Sequence, residues 1–204
     1  MTTAEMLKSK PGVRGATIIT RSGHYFDFLD PKPETIHIED IAWALAFTCR
    51  FGGQSLHYYS VAQHSILVAD AVPFNLRLQA LLHDAAEAYV GDVVGPLKQL
   101  LPDYKIVEKR VEAAIAARFG IPVEMHPDIK HADLRLLRTE QRDLTSGHAD
   151  NWNGLDAYPP LQQRIVPMTP EEAAPAFLRK YERLVTFTAQ AGNDPAQETH
   201  KGEA

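Results

Sequence analysis

An all-α bundle with one small β-hairpin near its N-terminus is the fold this sequence predicts. Two features carry that expectation. Apolar residues recur at helical spacing through successive stretches, each bracketed by capping residues or by Pro and Gly. Strand-like runs are confined to one short pair of segments, Thr17–Thr20 and His24–Leu29, around the turn signal Arg21-Ser22-Gly23. At 204 residues, 45% of them apolar, the chain can bury the core of one domain, expected over 16–190 between a flexible 1–15 and a disordered 191–204.

After Asp30-Pro31-Lys32-Pro33 ends the hairpin, Ile38 to about Arg50 reads as the first helix. Glu39 and Asp40 occupy its first turn, where carboxylates suit the dipole, and Ile41, Ala42, Leu45, Ala46 and Cys49 make its stripe. Gly52-Gly53 stops it. Ser60 caps a second helix, Val61–Ala71, with Gln63 placed as in a capping box. A third helix is expected over Leu76–Tyr89, broken at Gly91-Asp92, and a short one at Pro96-Leu97-Lys98. Pro102–Phe119 and Asp128–Leu144 read as long amphipathic helices. Gly147–Pro167 reads as a loop that is either functional or packed on the surface, and Thr169 caps a last helix from Pro170 to about Ala189.

Function concentrates in Leu81-Leu82-His83-Asp84-Ala85-Ala86-Glu87-Ala88-Tyr89-Val90-Gly91-Asp92. An apolar, helix-favouring background here carries a His, two Asp and a Glu. Burying ionisable groups without partners costs several kcal/mol or more each, and a divalent metal would compensate all of them together. His83, Asp84 and Glu87 lie three and four apart, so one side of a helix can present them together. A His-Asp pair alone is also what a satisfied core histidine looks like. His64 and a later Asp, Asp133, fall on other helices, the arrangement with which bundles build metal sites in their cores.

Composition narrows the classes. The net charge of −5 argues against a nucleic-acid binder, while leaving room for a small cationic pocket. The lone Cys49 has no partner for an internal disulfide, which suits a reducing compartment. Met1–Lys10 lacks the apolar core of a secretory signal, and no apolar run approaches the ~20 residues that span a bilayer. A cytoplasmic protein without a membrane partner is expected.

Tyr59-Ser60-Val61-Ala62-Gln63-His64-Ser65, the His83-Asp84 pair with Glu87, Gly91-Asp92 followed by Pro96-Leu97-Lys98, and finally Asp133 resemble the HD-domain phosphohydrolase superfamily over about Phe28–Leu144. Within it the chain is most similar to the nucleotidase branch, the bacterial HD-domain 5′-deoxynucleotidases and the phage-type HD dATP triphosphohydrolases. The resemblance implies an HD-domain bundle and a divalent ion (Mn, Co, Zn, Fe or Mg) held by His64, His83, Asp84 and Asp133. His131 is the competing ligand, and Asp133 could instead serve its helix's first turns. Glu87 is implied as general base or water-orienting group, and Asp92 as a contact to water, the sugar 3′-hydroxyl or the leaving oxygen. Arg50 would neutralise phosphate or merely suit a helix C-terminus, and Phe51 would stack on the base or pack in the core. Lys98 and His57 are further phosphate candidates.

The implied activity is hydrolysis of a (deoxy)nucleotide 5′-phosphoester, as triphosphohydrolase or 5′-deoxynucleotidase. The short segment between His64 and His83 leans toward the phage type. The alternative is a catalytically silent nucleotide-binding HD module. By the same resemblance the chain would form a homo-oligomer, a dimer or hexamer, with Trp43 and Phe47 available for an interface.

Overall fold

The computed structural model describes residues 15–146, 150 and 152–191 as a mostly helical bundle with one two-stranded antiparallel hairpin. The expectations for 1–14 and 192–204 lie outside the described residues. The hairpin pairs Thr17–Ile19 (β1) with Tyr25–Asp27 (β2), Ile18 opposite Phe26. Its turn is anchored to the first helix, Ile38–Phe47 (α1). The buried Asp40 accepts from Ser22 N at 2.8 Å and from Ser22 Oγ at 2.6 Å. Phe26, fully buried, stacks on Tyr89 at 4.0 Å, so the hairpin packs directly behind the motif segment.

Helix α1 ends at Phe47, three residues before the expected boundary, and Arg50–Gly53 forms a 3₁₀ turn. The following loop folds back on itself: Arg50 N donates to Tyr59 O (3.0 Å) and Val61 N to Thr48 O (3.0 Å). That pairing delivers Arg50 to the start of the second helix, Val61–Asp70 (α2), whose first turn is capped by Ser60 Oγ accepting from Gln63 N. The capping box is only half realised. The buried Gln63 amide donates instead to Val166 O and accepts from Met168 N, stapling the long loop to α2. Thr139 and Asp143 hold the same loop through Leu161 N and Ile165 N. The loop thus packs on the helices, and it carries a 3₁₀ segment, Trp152–Ala157.

The predicted continuous third helix is interrupted. Arg77–Leu81 (α3) and Glu87–Val90 (α4) are separated by a turn over residues 82–86. His83 Nδ1 donates to Ala80 O at 2.8 Å, and short i→i−3 bonds follow from Ala85 N to Leu82 O and Glu87 N to Asp84 O. A side chain that competes for a backbone carbonyl tightens the turn, a mechanism that the apolar periodicity of the stretch does not reveal.

Gly95–Lys98 (α5) is short. Pro102–Phe119 (α6) and Pro127–Leu144 (α7) are long, and Pro170–Ala191 (α8) packs across α1, α2 and α3. The core runs through Ile41, Leu45, Ala62, Val68, Leu81 and Phe177, joined by Ile129 and Leu136 of α7. Among the described residues, no helix is long and apolar enough to cross a membrane.

Candidate metal centre

Three elements aim one ligand atom each at a common point. α2 brings His64, fully buried; the α3–α4 turn brings His83; α7 brings Asp133. Their ligand atoms all lie within 4.8 Å of one another. His64 Nε2 is 3.4 Å from His83 Nε2 and 3.3 Å from Asp133 Oδ1. Asp84 joins from beside His83, its Oδ2 3.2 Å from His83 Nε2 and 3.5 Å from His64 Nε2. Donor atoms held at about 2.1 Å from one ion are separated by about 3.0–3.4 Å, so these spacings suit shared coordination.

Tautomers sharpen the point. A backbone carbonyl only accepts, so His83 Nδ1 must carry the proton it gives to Ala80 O. His64 Nδ1 lies 2.6 Å from Glu140 Oε1. Burial opposes ionisation of Glu140, but Arg50 and then His64 outweigh it and hold its carboxyl below the ordinary value. Glu140 is therefore the acceptor and His64 Nδ1 the donor. Both Nε2 atoms then face each other and two carboxylates, an arrangement that a shared cation or a proton on one ring satisfies. Asp133 is steadied by Lys130 Nζ on its other oxygen at 2.9 Å. His131, the alternative ligand, stands against Tyr158 instead, ring centroids 5.5 Å apart.

In the metal-free protein a proton takes the cation's place. Burial and Arg50 push the His64 pKa down, but Glu140 and Asp133 outweigh them and raise it from 6.5 to about 9. Burial likewise opposes ionisation of Asp84, yet His83 and then His64 hold it well below the carboxylate range. The sign of the pH dependence follows. His64 stabilises the metal-free fold fully below pH 6.5, and this contribution is lost as pH rises toward about 9. Over that window metal-free stability should fall and metal affinity rise, with proton release on binding. Calorimetric Mn²⁺ titrations in buffers of different ionisation enthalpy read the proton count; affinity that stays flat from pH 6.5 to 9 would contradict the assignment.

Glu140 is a site residue that the motif pattern does not contain. It has a signal in hindsight: Ile129, Ala132, Leu136, Glu140 and Leu144 form one continuous stripe of α7, all buried. Arg50 sits behind it, with Nη2 3.1 Å from Glu140 Oε2 and Nη1 3.6 Å from Asp84 Oδ2. Its side chain is 11% exposed, and its guanidinium is engaged by these two carboxylates. Phe51 adopts φ 58°, ψ 27°, the left-handed region that costs a non-glycine residue about 1–2 kcal/mol. Its ring meets Trp152 edge-on at 6.3 Å. The geometry thus turns Arg50 inward and Phe51 toward the long loop. His57 is exposed, and among the described residues its ring makes no hydrogen bond or ion pair with the cluster.

Glu87 is buried and its Oε2 has no hydrogen-bond partner. Burial, then Asp84 and Asp92, raise its pKa to about 10, so it holds a proton at neutral pH when no metal is bound. Asp92 is also raised, by burial first; Arg50, His64 and Lys98 oppose the shift. Lys98 Nζ is 2.7 Å from Glu108 Oε1, and Tyr104 OH donates to Gly91 O at 2.9 Å. Asp84, Glu87, Asp92 and Lys98 therefore share one electrostatic neighbourhood beside the histidines.

A comparison with protein-family models finds no match. Over 168 residues the chain is 40% identical to the uncharacterized protein YfdR of Escherichia coli, covering 82% of this chain and 94% of that one. An uncharacterized protein of Rhodobacter capsulatus is 42% identical over 121 residues, 54% of this chain and 62% of its own length. The chain belongs to the family of YfdR.

Proposed function

We propose that this member of the YfdR family is an HD-domain, metal-dependent phosphohydrolase that cleaves the 5′-phosphoester of deoxynucleotides. The observation that carries the reading is the convergence of two histidine lone pairs and two carboxylates on one point, with both Nδ1 protons already committed elsewhere. That donor set fits a divalent ion of the Mn, Co, Zn, Fe or Mg group, held by His64, His83, Asp84 and Asp133. When bound, such an ion supplies Lewis acidity toward a phosphoryl oxygen and a water.

The chain's own residues account for the rest. Glu87, one turn beyond Asp84 and protonated at rest, is the group that can give a proton to the departing ester oxygen and take one back from water. Asp92 shares its neighbourhood and suits a sugar hydroxyl or the water. Lys98 offers its ammonium to the phosphate at the expense of its bond to Glu108. Arg50 positions His64 through Glu140 and contributes its charge from behind Asp84.

Charge balance favours a monophosphate. Arg50 and Lys98 are each paired with a carboxylate, and Asp84, Glu87 and Asp92 stand close by. Three phosphates would face too little uncommitted positive charge. The alternative, a silent nucleotide-binding module, leaves the unpartnered, proton-holding Glu87 without a use.

The test is phosphate release from deoxy- and ribonucleoside mono- and triphosphates with Mn²⁺, Co²⁺ or Mg²⁺, each with an EDTA control. Inorganic phosphate from deoxynucleoside monophosphates, abolished by EDTA, is expected. Inorganic triphosphate from a deoxynucleoside triphosphate would select the triphosphohydrolase instead. Metal and nucleotide binding without turnover would leave the silent module.

A further inference from the structure

A cavity of about 200 Å³ opens beside His83. Leu82, Ala86, Ile115, Ala116 and Met125 line it with apolar surface, and Glu112 is the carboxylate in its wall. Its far wall is held in place. Gln79 Nε2 donates to Pro122 O at 3.1 Å and to Glu124 O at 2.7 Å, pinning the segment that leaves α6. Gly120, with φ 65°, turns the chain back at that helix end.

We propose that this cavity receives the base of the nucleotide whose phosphate lies at the metal group, and that Glu112 reads an amino-bearing edge of that base. The proposal rests on the hydrolase reading above. Three observations support it. The cavity adjoins the site, because His83 belongs to both and Leu82 and Ala86 neighbour His83 and Glu87 in the chain. Glu112 lies one turn beyond Glu108, the partner of Lys98, and both Asp84 and Lys98 act on its carboxyl. The size suits one ring system, since whole-ligand pockets run to roughly 300–1,000 Å³.

The lining argues for a base over an alkyl chain. Ala86 and Ala116 leave space that any larger side chain would fill, and Met125 gives an adaptable rim. A half-buried carboxylate beside the apolar side chains of this wall loses hydration when the cavity fills. It needs an N–H donor from the occupant, which a hydrocarbon lacks and an exocyclic amine supplies.

Ala116→Phe fills the slot from α6 and leaves every proposed metal ligand in place, and Glu112→Leu removes the polar reader. The substrates are the four 5′-deoxynucleoside monophosphates and 2-deoxyribose 5-phosphate, which has the same ester and no base. Ala116→Phe should lower kcat/KM about tenfold or more on the nucleotides, mainly through KM, and leave 2-deoxyribose 5-phosphate nearly unchanged. Glu112→Leu should narrow the gap between amino-bearing bases and thymine, and it decides the matter alone if Ala116→Phe does not fold. Equal losses on both substrate types, or no loss on either, would overturn the proposal. If wild type turns over none of these monoesters, the nucleotidase reading fails separately. The slot is then judged by calorimetric binding of deoxyadenosine to wild type: binding abolished by Ala116→Phe supports it, and no binding at millimolar nucleoside overturns it.

Discussion

Glu140→Ala should destabilise the protein by about 3–5 kcal/mol, the range for removing one partner of a buried ion pair. Two groups lose their counterpart at once. Arg50, nearly fully covered, would keep only Asp84 at 3.6 Å, and His64 Nδ1–H would point at nothing. Metal affinity should fall about 10–100-fold in the same variant, because an outer carboxylate sets the tautomer and orientation of its histidine. The two effects separate in Glu140→Gln. Its side-chain oxygen can still accept from His64, so much of the metal affinity should survive, while the uncharged amide leaves the Arg50 guanidinium with Asp84 alone and the stability loss remains. Urea denaturation followed by circular dichroism reads the first quantity, and Mn²⁺ titration the second. A Glu140→Ala protein within about 1 kcal/mol of wild type and with unchanged Mn²⁺ affinity would show that the Arg50–Glu140–His64 chain is not what holds the site.

Glu87→Gln should do the opposite to stability and sharply lower turnover. The native carboxyl titrates at about 10 against 4.5 for a free side chain. Between those values the folded state binds a proton that the unfolded state lacks, so metal-free stability declines as pH rises above 4.5. Glutamine is neutral in both states and removes that dependence. The melting temperature of metal-free Glu87→Gln should therefore exceed wild type at about pH 8, and the gap should shrink toward about pH 5. Turnover should fall by about 10²–10⁴-fold, the usual contribution of a positioned proton donor or acceptor. Stability gained where activity is lost is the signature of a group kept for chemistry. A structural Glu87 would give the reverse pattern: a lower melting temperature and unchanged kcat on any substrate the wild type turns over.

Much of this arrangement is legible in the chain. Apolar periodicity and caps mark the helices, and the β run before residue 30 marks the hairpin, because these signals are local. The ordered residues His64, His83, Asp84 and Asp133 are equally visible as a pattern, and the fold draws them together. Three things were decided only in three dimensions. The third helix breaks at His83 because a side chain takes Ala80 O, a competition that no propensity records. Arg50, implied as a phosphate contact or a helix C-terminal charge, finds its partner in Glu140, ninety positions away along the chain. Glu140 itself, lodged in the polar run Arg138-Thr139-Glu140-Gln141-Arg142, looks like solvated surface until α7 packs and turns it inward. Periodicity reports which face of a helix is apolar. Whether a charge on that face is excluded or paired depends on what the neighbouring element brings to it, and that is settled only when α2, α7 and the Arg50 loop close around His64.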